Sequence, residues 1–283
     1  DDALESGIPV AVADTPPADR VTFEISFDNY EAGRVMARQA ADTLAQSYES
    51  LEGVKVVHFH GFLGSYAWNQ RMQGVLDEME EIVAETGLDF YNVEGGGSPE
   101  EFGQSADEWI SQNRDVACVL QASSGGFFTG SMRALNREDL LWYRGEDNHV
   151  VAGAIDGYLS DVKWIEDGLI DFITMQNAIS YGEIAVSVLD EYAIGSDDVY
   201  DAVPTGVVPE GVDVSRYYFG DVLGEEPSIE MHPTFGPSYT VPTYNMTPEN
   251  VDHPKHWAKI AQNDLGMEEA AAGLQVDPQG TPP

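Results

Sequence analysis

Polar residues with chemical capacity stand at the ends of short apolar runs. Asp14 closes the run 7–13, His60 the run 54–59 and Asp156 the run 150–155; Ser123 and Ser124 follow 116–121, and Gln176 follows 169–175. Asn69 and Arg71 come shortly after His60, with Trp68 beside them and Phe127 and Phe128 beyond the serines. The set mixes neutral donors and acceptors with two carboxylates and one guanidinium. Carboxylates and amides bridge vicinal hydroxyls, a guanidinium forks onto ring or hydroxyl oxygens, and aromatic faces cover the C–H face of a sugar. An uncharged polyhydroxylated ligand is the expected cargo. The spacing of Trp68 fits a helix core equally well.

Other chemistries find less support. His58 and His60 share one strand face and could chelate a metal, but no third ligand lies at suitable spacing, so no metal site is expected. Asp14 and Asp156 form a conceivable glycosidase pair, yet neither sits in an apolar setting that would raise its pKa. No nucleophile elbow, dinucleotide fingerprint or phosphate loop occurs. The expectation is a binding protein without enzymatic activity and without a cofactor.

For these residues to converge, the apolar runs must be strands pointing the same way. The pattern predicts strands at 8–14, 21–27, 54–59, 88–93, 116–121, 150–155 and 169–175. Helices are predicted from Tyr30 to about Gln46 with Asp28-Asn29 as cap, after Gly64-Ser65, over 99–112, from Gly125-Gly126, over 158–167 and over 179–192. In the second of these, Trp68, Met72, Val75, Leu76, Met79, Ile82 and Val83 recur at spacings of three and four. Strands alternating with crossover helices predict an α/β fold, its parallel sheets flanked by helices on both faces. Ligands bind such sheets beyond the carboxyl ends of the strands, where the polar residues stand. Beyond about residue 196 the chain is Pro/Gly-rich and irregular, and after Met267 it reads as a frayed tail.

The 283 residues allow one large domain or two of ordinary size, and 42% hydrophobic residues suffice for a core. The net charge of −37 is spread along the chain rather than gathered in a tail, and Lys is scarce. Such a field repels phosphate backbones and anionic headgroups, so a nucleic-acid partner is not expected. It suits a halophilic protein in concentrated salt, where screening shrinks to a few ångströms; multivalent-cation binding is the alternative. Cys118 is single, so no disulfide forms within the chain. No apolar run reaches the roughly 18 residues of a membrane span.

The ordered motifs resemble a family. Gly7-Ile8-Pro9-Val10 through Asp14, Phe27-Asp28-Asn29 with Ala32-Gly33, Gly61-Phe62-Leu63-Gly64-Ser65 with Asn69-x-Arg71-x-x-Gly74, Gly153-Ala154-Ile155-Asp156-Gly157, Gly168 through Gln176, and Thr247 through Asp252 follow the order of the sugar-type (ribose-binding-like) periplasmic binding proteins of ABC transporters. The resemblance implies a two-lobed type I fold: an incomplete amino-terminal lobe over 1–29 and 177–244, a carboxyl-terminal lobe over 30–176, and a return strand and tail over 245–283. It implies that Asp14, Asn69, Arg71, Ser124, Asp156 and Gln176 bind the sugar, with Trp68 and Phe127 as aromatic platforms. Family members carry further strands and helices before the Gly-Ile-Pro-Val strand, so the amino lobe is expected to lack its leading part and to expose a sheet edge. The implied protein is an extracytoplasmic monomer, anchored through a missing amino-terminal segment. It closes over a monosaccharide or polyol by hinge motion and presents it to a membrane permease. The Asn245-Met246-Thr247 sequon is compatible with export. The effector domain of a LacI-type regulator and a sugar or autoinducer sensor share the fold and are the alternatives.

Overall fold

A computed structural model describes residues 2–207, 228–265 and 276–283. The chain divides into two compact units, one formed by Asp1–Asp28, Gln176–Thr243 and Lys255–Trp257, the other by Asn29–Met175, Tyr244–Pro254 and Ala258–Pro283.

In the larger unit the strands are β3 (Lys55–Gly61), β4 (Asp89–Gly96), β5 (Val116–Gln121), β6 (Val151–Asp156), β7 (Phe172–Met175) and β10 (Tyr244–Met246), in the order β10-β7-β6-β5-β3-β4. Five are mutually parallel; β10 closes the edge antiparallel to β7, which the alternating pattern did not foresee. The crossover helices are α3 (Tyr66–Thr86), α4 (Pro99–Gln112), α5 (Gly126–Arg137) and α6 (Leu159–Glu166), joined by α2 (Asn29–Ser47) and α8 (Trp257–Leu265). Sheet growth reverses at β4, and right-handed crossovers therefore put α3 and α4 on opposite faces. Accordingly α2 packs with α3 and α4 with α5. The sheet is buried on both faces: β5 and β6 are buried throughout.

Each element follows from local sequence. In α4, Ser98 accepts from the Glu101 N–H, Pro99 occupies the first turn, and Glu100 and Glu101 complement the helix dipole. Its buried residues are Phe102, Ala106 and Ile110, an i, i+4, i+8 stripe. At the end of α3, Gly87 takes the left-handed conformation that a side chain resists.

The smaller unit holds the short α1 (Asp2–Glu5), a sheet ordered β1-β2-β9-β8, and α7 (Ala178–Val188), which runs into a π-helical turn over Leu189–Ala193. Here β1 (Ala11–Asp14), β2 (Phe23–Phe27) and β9 (Gly236–Val241) are parallel, and β8 (Glu230–His232) is antiparallel to β9. Phe23, Ile25 and Phe27 alternate inward on β2, while α7 lies against β1 and β2. At the approach to edge strand β1, Ile8 is exposed.

Three sequence expectations need correction. The stretch after 196 contains the β8–β9 hairpin, part of a stretch whose residues 208–227 lie outside the described ones. The end of the tail is docked rather than frayed: Asp277 N–H donates to Asn136 (3.0 Å), Gln279 N–H to the Leu141 carbonyl (2.8 Å), and Thr281 N–H to Glu146 Oε1 (2.9 Å). The rest of that expectation, residues 267–275, lies outside the described residues. The sequon Asn245 spends both ends of its amide inside the fold, Oδ1 on the Thr174 hydroxyl (2.8 Å) and Nδ2 on Gln39 (3.0 Å), and so offers no glycosylation acceptor.

Candidate ligand-binding site

Because β3, β5 and β6 run parallel, their carboxyl ends lie along one edge of the larger unit. Arg71, on the second turn of α3, reaches this edge although it is buried. Its Nη1 lies 3.0 Å from Asp156 Oδ1 and donates to the Ala122 carbonyl at 2.7 Å; Nε donates to Asn29 Oδ1 at 2.8 Å. The second Asp156 oxygen accepts from the Ser123 hydroxyl at 2.5 Å. A guanidinium taken out of water is tolerated only when its charge and its N–H groups are met, and this arrangement meets them. The pair carries no net charge yet aligns donors and acceptors.

Asp156 has φ +121°, and Asp14 has φ +73°. Together with Asp139 they are the only non-glycine residues of positive φ among the described residues. Such backbone costs about 1–3 kcal/mol per residue and persists where the surroundings enforce it, most often at functional sites.

Beneath this edge lies a supporting layer. The Ser124 hydroxyl donates to Asp161 Oδ2 (2.6 Å) and accepts from the Gly157 N–H (3.2 Å). Asp161 also accepts from the Tyr158 N–H (2.6 Å) and the Gly125 N–H (3.3 Å). Burial pushes its carboxyl up to about 7 despite these donors. Ser124, expected to touch ligand, is fully buried and holds the β5 and β6 loops together instead.

Trp68 and Phe127 join Phe102 in a three-ring cluster of edge-on contacts, with centroids 5.4–6.0 Å apart. The indole covers Gly61, where a Cβ would come within 2.2 Å of the ring. Both expected platforms are therefore partly consumed by packing on each other. Asn69 Nδ2 points to the Leu63 carbonyl at 3.4 Å, a long contact that ties it to its own loop and not to the Arg71 cluster.

In the smaller unit, the Gln176 amide donates to Asp14 Oδ1 (2.7 Å) and to the Tyr181 hydroxyl (3.0 Å). The two family-implied residues of this unit thus form one polar group at the carboxyl end of β1.

The sequence reading missed Asn29, Asp161 and Tyr181 as members of these groups. Asn29 was assigned to the cap of α2; it is the first residue of that helix and accepts from Arg71. The signal for Asp161 was its place three residues after the entry to α6, where it forms a capping box with Tyr158. Among the described residues no group of three or more His, Cys, Asp and Glu side chains is placed to hold a metal ion. His58 bonds Asn92 at 2.9 Å, and burial pulls its pKa to about 3, so the ring is neutral.

Comparison with known proteins follows this geometry. No curated protein matches the sequence. The substrate-binding protein of a sugar ABC transport system from Bordetella parapertussis superposes with a TM-score of 0.62 at 17% identity, covering 91% of this chain and 68% of that one. The periplasmic binding protein of the arabinose ABC transporter from Shewanella sp. ANA-3, bound to L-arabinofuranose, gives 0.64 at 14% identity, with 94% and 73% covered. A Bacillus halodurans ABC transporter solute-binding protein with bound myo-inositol gives 0.61 at 18%, with 90% and 71% covered. At these identities the structures share the fold. The family described as periplasmic binding protein domain matches residues 1–197, most of the chain, and the chain belongs to that family.

Proposed function

We propose that the chain is the extracytoplasmic solute-binding protein of an ABC importer. It binds a monosaccharide or related polyol, closes its two lobes over it by hinge motion, and hands it to a membrane permease. The supporting observation is the Arg71–Asp156 pair, buried and charge-neutral at the carboxyl edge of the sheet, with Asp156 on strained backbone. A neutral pair rich in donors and acceptors favours vicinal hydroxyls over a charged cargo, because no net charge is left to offset the desolvation of an ion. Asp14 with Gln176 is the contribution of the smaller unit. The surface charge of −37 fits work in concentrated salt.

The test is a thermal-shift screen of pentoses, hexoses and polyols in molar salt. A specific sugar at about one hundred times its Kd adds about 2.7 kcal/mol of stability. That gain disappears in Asp156→Asn if the reading is right; an undiminished gain removes Asp156 from the site, and no gain from any sugar removes the reading.

A further inference from the structure

A second site lies at the opposite end of the same sheet. A cavity of about 510 Å³, lined wholly by the larger unit, opens between the end of α2, the loop before β6 and the segment after β10. Its floor is Val151, the first residue of β6, whereas Asp156 is the last. At about 3.3 Å per residue the two ends are about 17 Å apart, so this cavity is separate from the Arg71–Asp156 edge.

The lining is charged and divided. Arg144 donates Nη1 to the Ile170 carbonyl (3.0 Å) and Nη2 to the Ile165 carbonyl (3.3 Å), and among the described residues no carboxylate comes within ion-pair distance. Arg144 acts at longer range on Glu249, whose carboxyl is held low chiefly by the Thr247 hydroxyl and in lesser part by Arg144. Next to it, His149 places one ring nitrogen 2.7 Å from the Trp142 carbonyl and the other 2.9 Å from Asp171 Oδ2. Both partners accept, so a ring protonated on both nitrogens meets both, and in that form it cancels Asp171. What remains is one cationic point, Arg144, facing Glu249, Asp147 and Glu146. The negative end of the α2 dipole adds to the acidic side at Gln46 and Ser47.

We propose that this cavity binds a small zwitterion, its carboxylate on Arg144 and its ammonium against Glu249, Asp147 and the carboxyl end of α2. A simple anion would meet three carboxylates, a simple cation would leave Arg144 unused, and a neutral polyol would use neither charge. The cavity is large enough for a compact amino-acid-sized molecule.

Calorimetric titration of the full chain with glycine betaine, acetate and tetramethylammonium chloride, each alone, tests this. Glycine betaine saturates by about 10 mM while the two single-charge probes bind at least about tenfold more weakly. Arg144→Met weakens betaine binding by about tenfold or more. Because Arg144 also holds two backbone carbonyls, Ser47→Trp on the exposed rim serves as the second variant, filling the cavity without touching the sheet. Absence of saturation, equal binding of acetate, or insensitivity to Ser47→Trp each overturns the proposal.

Discussion

Gly33 of α2 lies so close to α3 that a Cβ on it would sit 2.1 Å from the carbonyl oxygen of Arg71. The contact is reciprocal, since a Cβ on Gly74 would come 2.0 Å from the Tyr30 carbonyl. Two glycines thus set the separation of the helices, and with it the depth at which the Arg71 guanidinium emerges.

Gly33→Ala or Gly74→Ala therefore forces backbone against backbone and is expected to cost about 1–3 kcal/mol. Urea unfolding measures the loss, and the sugar-induced thermal shift shrinks with it as Arg71 is displaced. Gly182→Ala in α7 is the control: nothing lies within 4 Å of the new Cβ, and the helix gains about 0.5–1 kcal/mol. A destabilised Gly182→Ala together with an unaffected Gly33→Ala would refute the packing account.

Asp156→Ala leaves the Arg71 charge buried without its carboxylate and is expected to cost about 3–5 kcal/mol, whereas the double variant Arg71→Met/Asp156→Ala costs less than the sum of the singles. Chemical unfolding of the four proteins in one buffer gives the coupling. Additive losses would mean that the two side chains do not stabilise one another.

Asp161 and His149 each hold stability that is lost as pH rises, against His58, whose buried neutral ring adds stability as pH climbs from about 3 to its unfolded value of 6.5. Burial raises the Asp161 carboxyl to about 7 from an ordinary 3.8, so the folded chain keeps a proton that the unfolded chain has lost, and the stability held below about 4 drains away up to about 7. For His149, burial pulls the ring down, but Asp171 and the Trp142 carbonyl outweigh it and the net displacement is upward. Its contribution is complete below the unfolded value of 6.5 and is lost as pH passes the higher folded value. Relative to the parent chain, His149→Gln removes the loss of stability on the alkaline side, and Asp161→Asn removes the loss between about 4 and 7, so that the rise due to His58 stands uncovered. Unchanged slopes in both variants would show that neither group is linked to folding.

With 50 acids against 13 bases, self-repulsion opposes the folded state in dilute buffer. Raising NaCl from about 0.1 to about 1 M shortens the Debye length from about 10 to about 3 Å, and the melting temperature is expected to rise with it. A salt-independent melting temperature would rule out a surface suited to brine.

Much of the larger unit was legible because its strands and helices carry clean periodicities: α4 falls on 99–112 as read, and β5 on 116–121. Periodicity could not show strand β10, because three residues, Tyr244–Met246, are too few for a period; a return strand from 245 was expected from the resemblance alone. The β8–β9 hairpin escaped because Gly236 and Pro237 read as loop while the backbone pairs regardless. Strand-end position picked out Asp14, Asp156 and Gln176, which the structure places in polar groups at strand ends, but no local pattern tells whether a helical Arg turns inward, as Arg71 does, or which serine is consumed in support, as Ser124 is. Those outcomes depend on partners 42 and 37 residues away in sequence.

The positive φ angles of Asp14 and Asp156 also restrict which residues those strand ends can carry. Left-handed backbone admits Gly, Asn and Asp at modest cost and penalises branched or bulky side chains. In the proposed site, substitution at these points is then confined to exchanging a carboxylate for an amide or for nothing. Broader changes of specificity must come from neighbours on ordinary backbone, such as the half-buried Asn69 on α3 or Phe127 on α5.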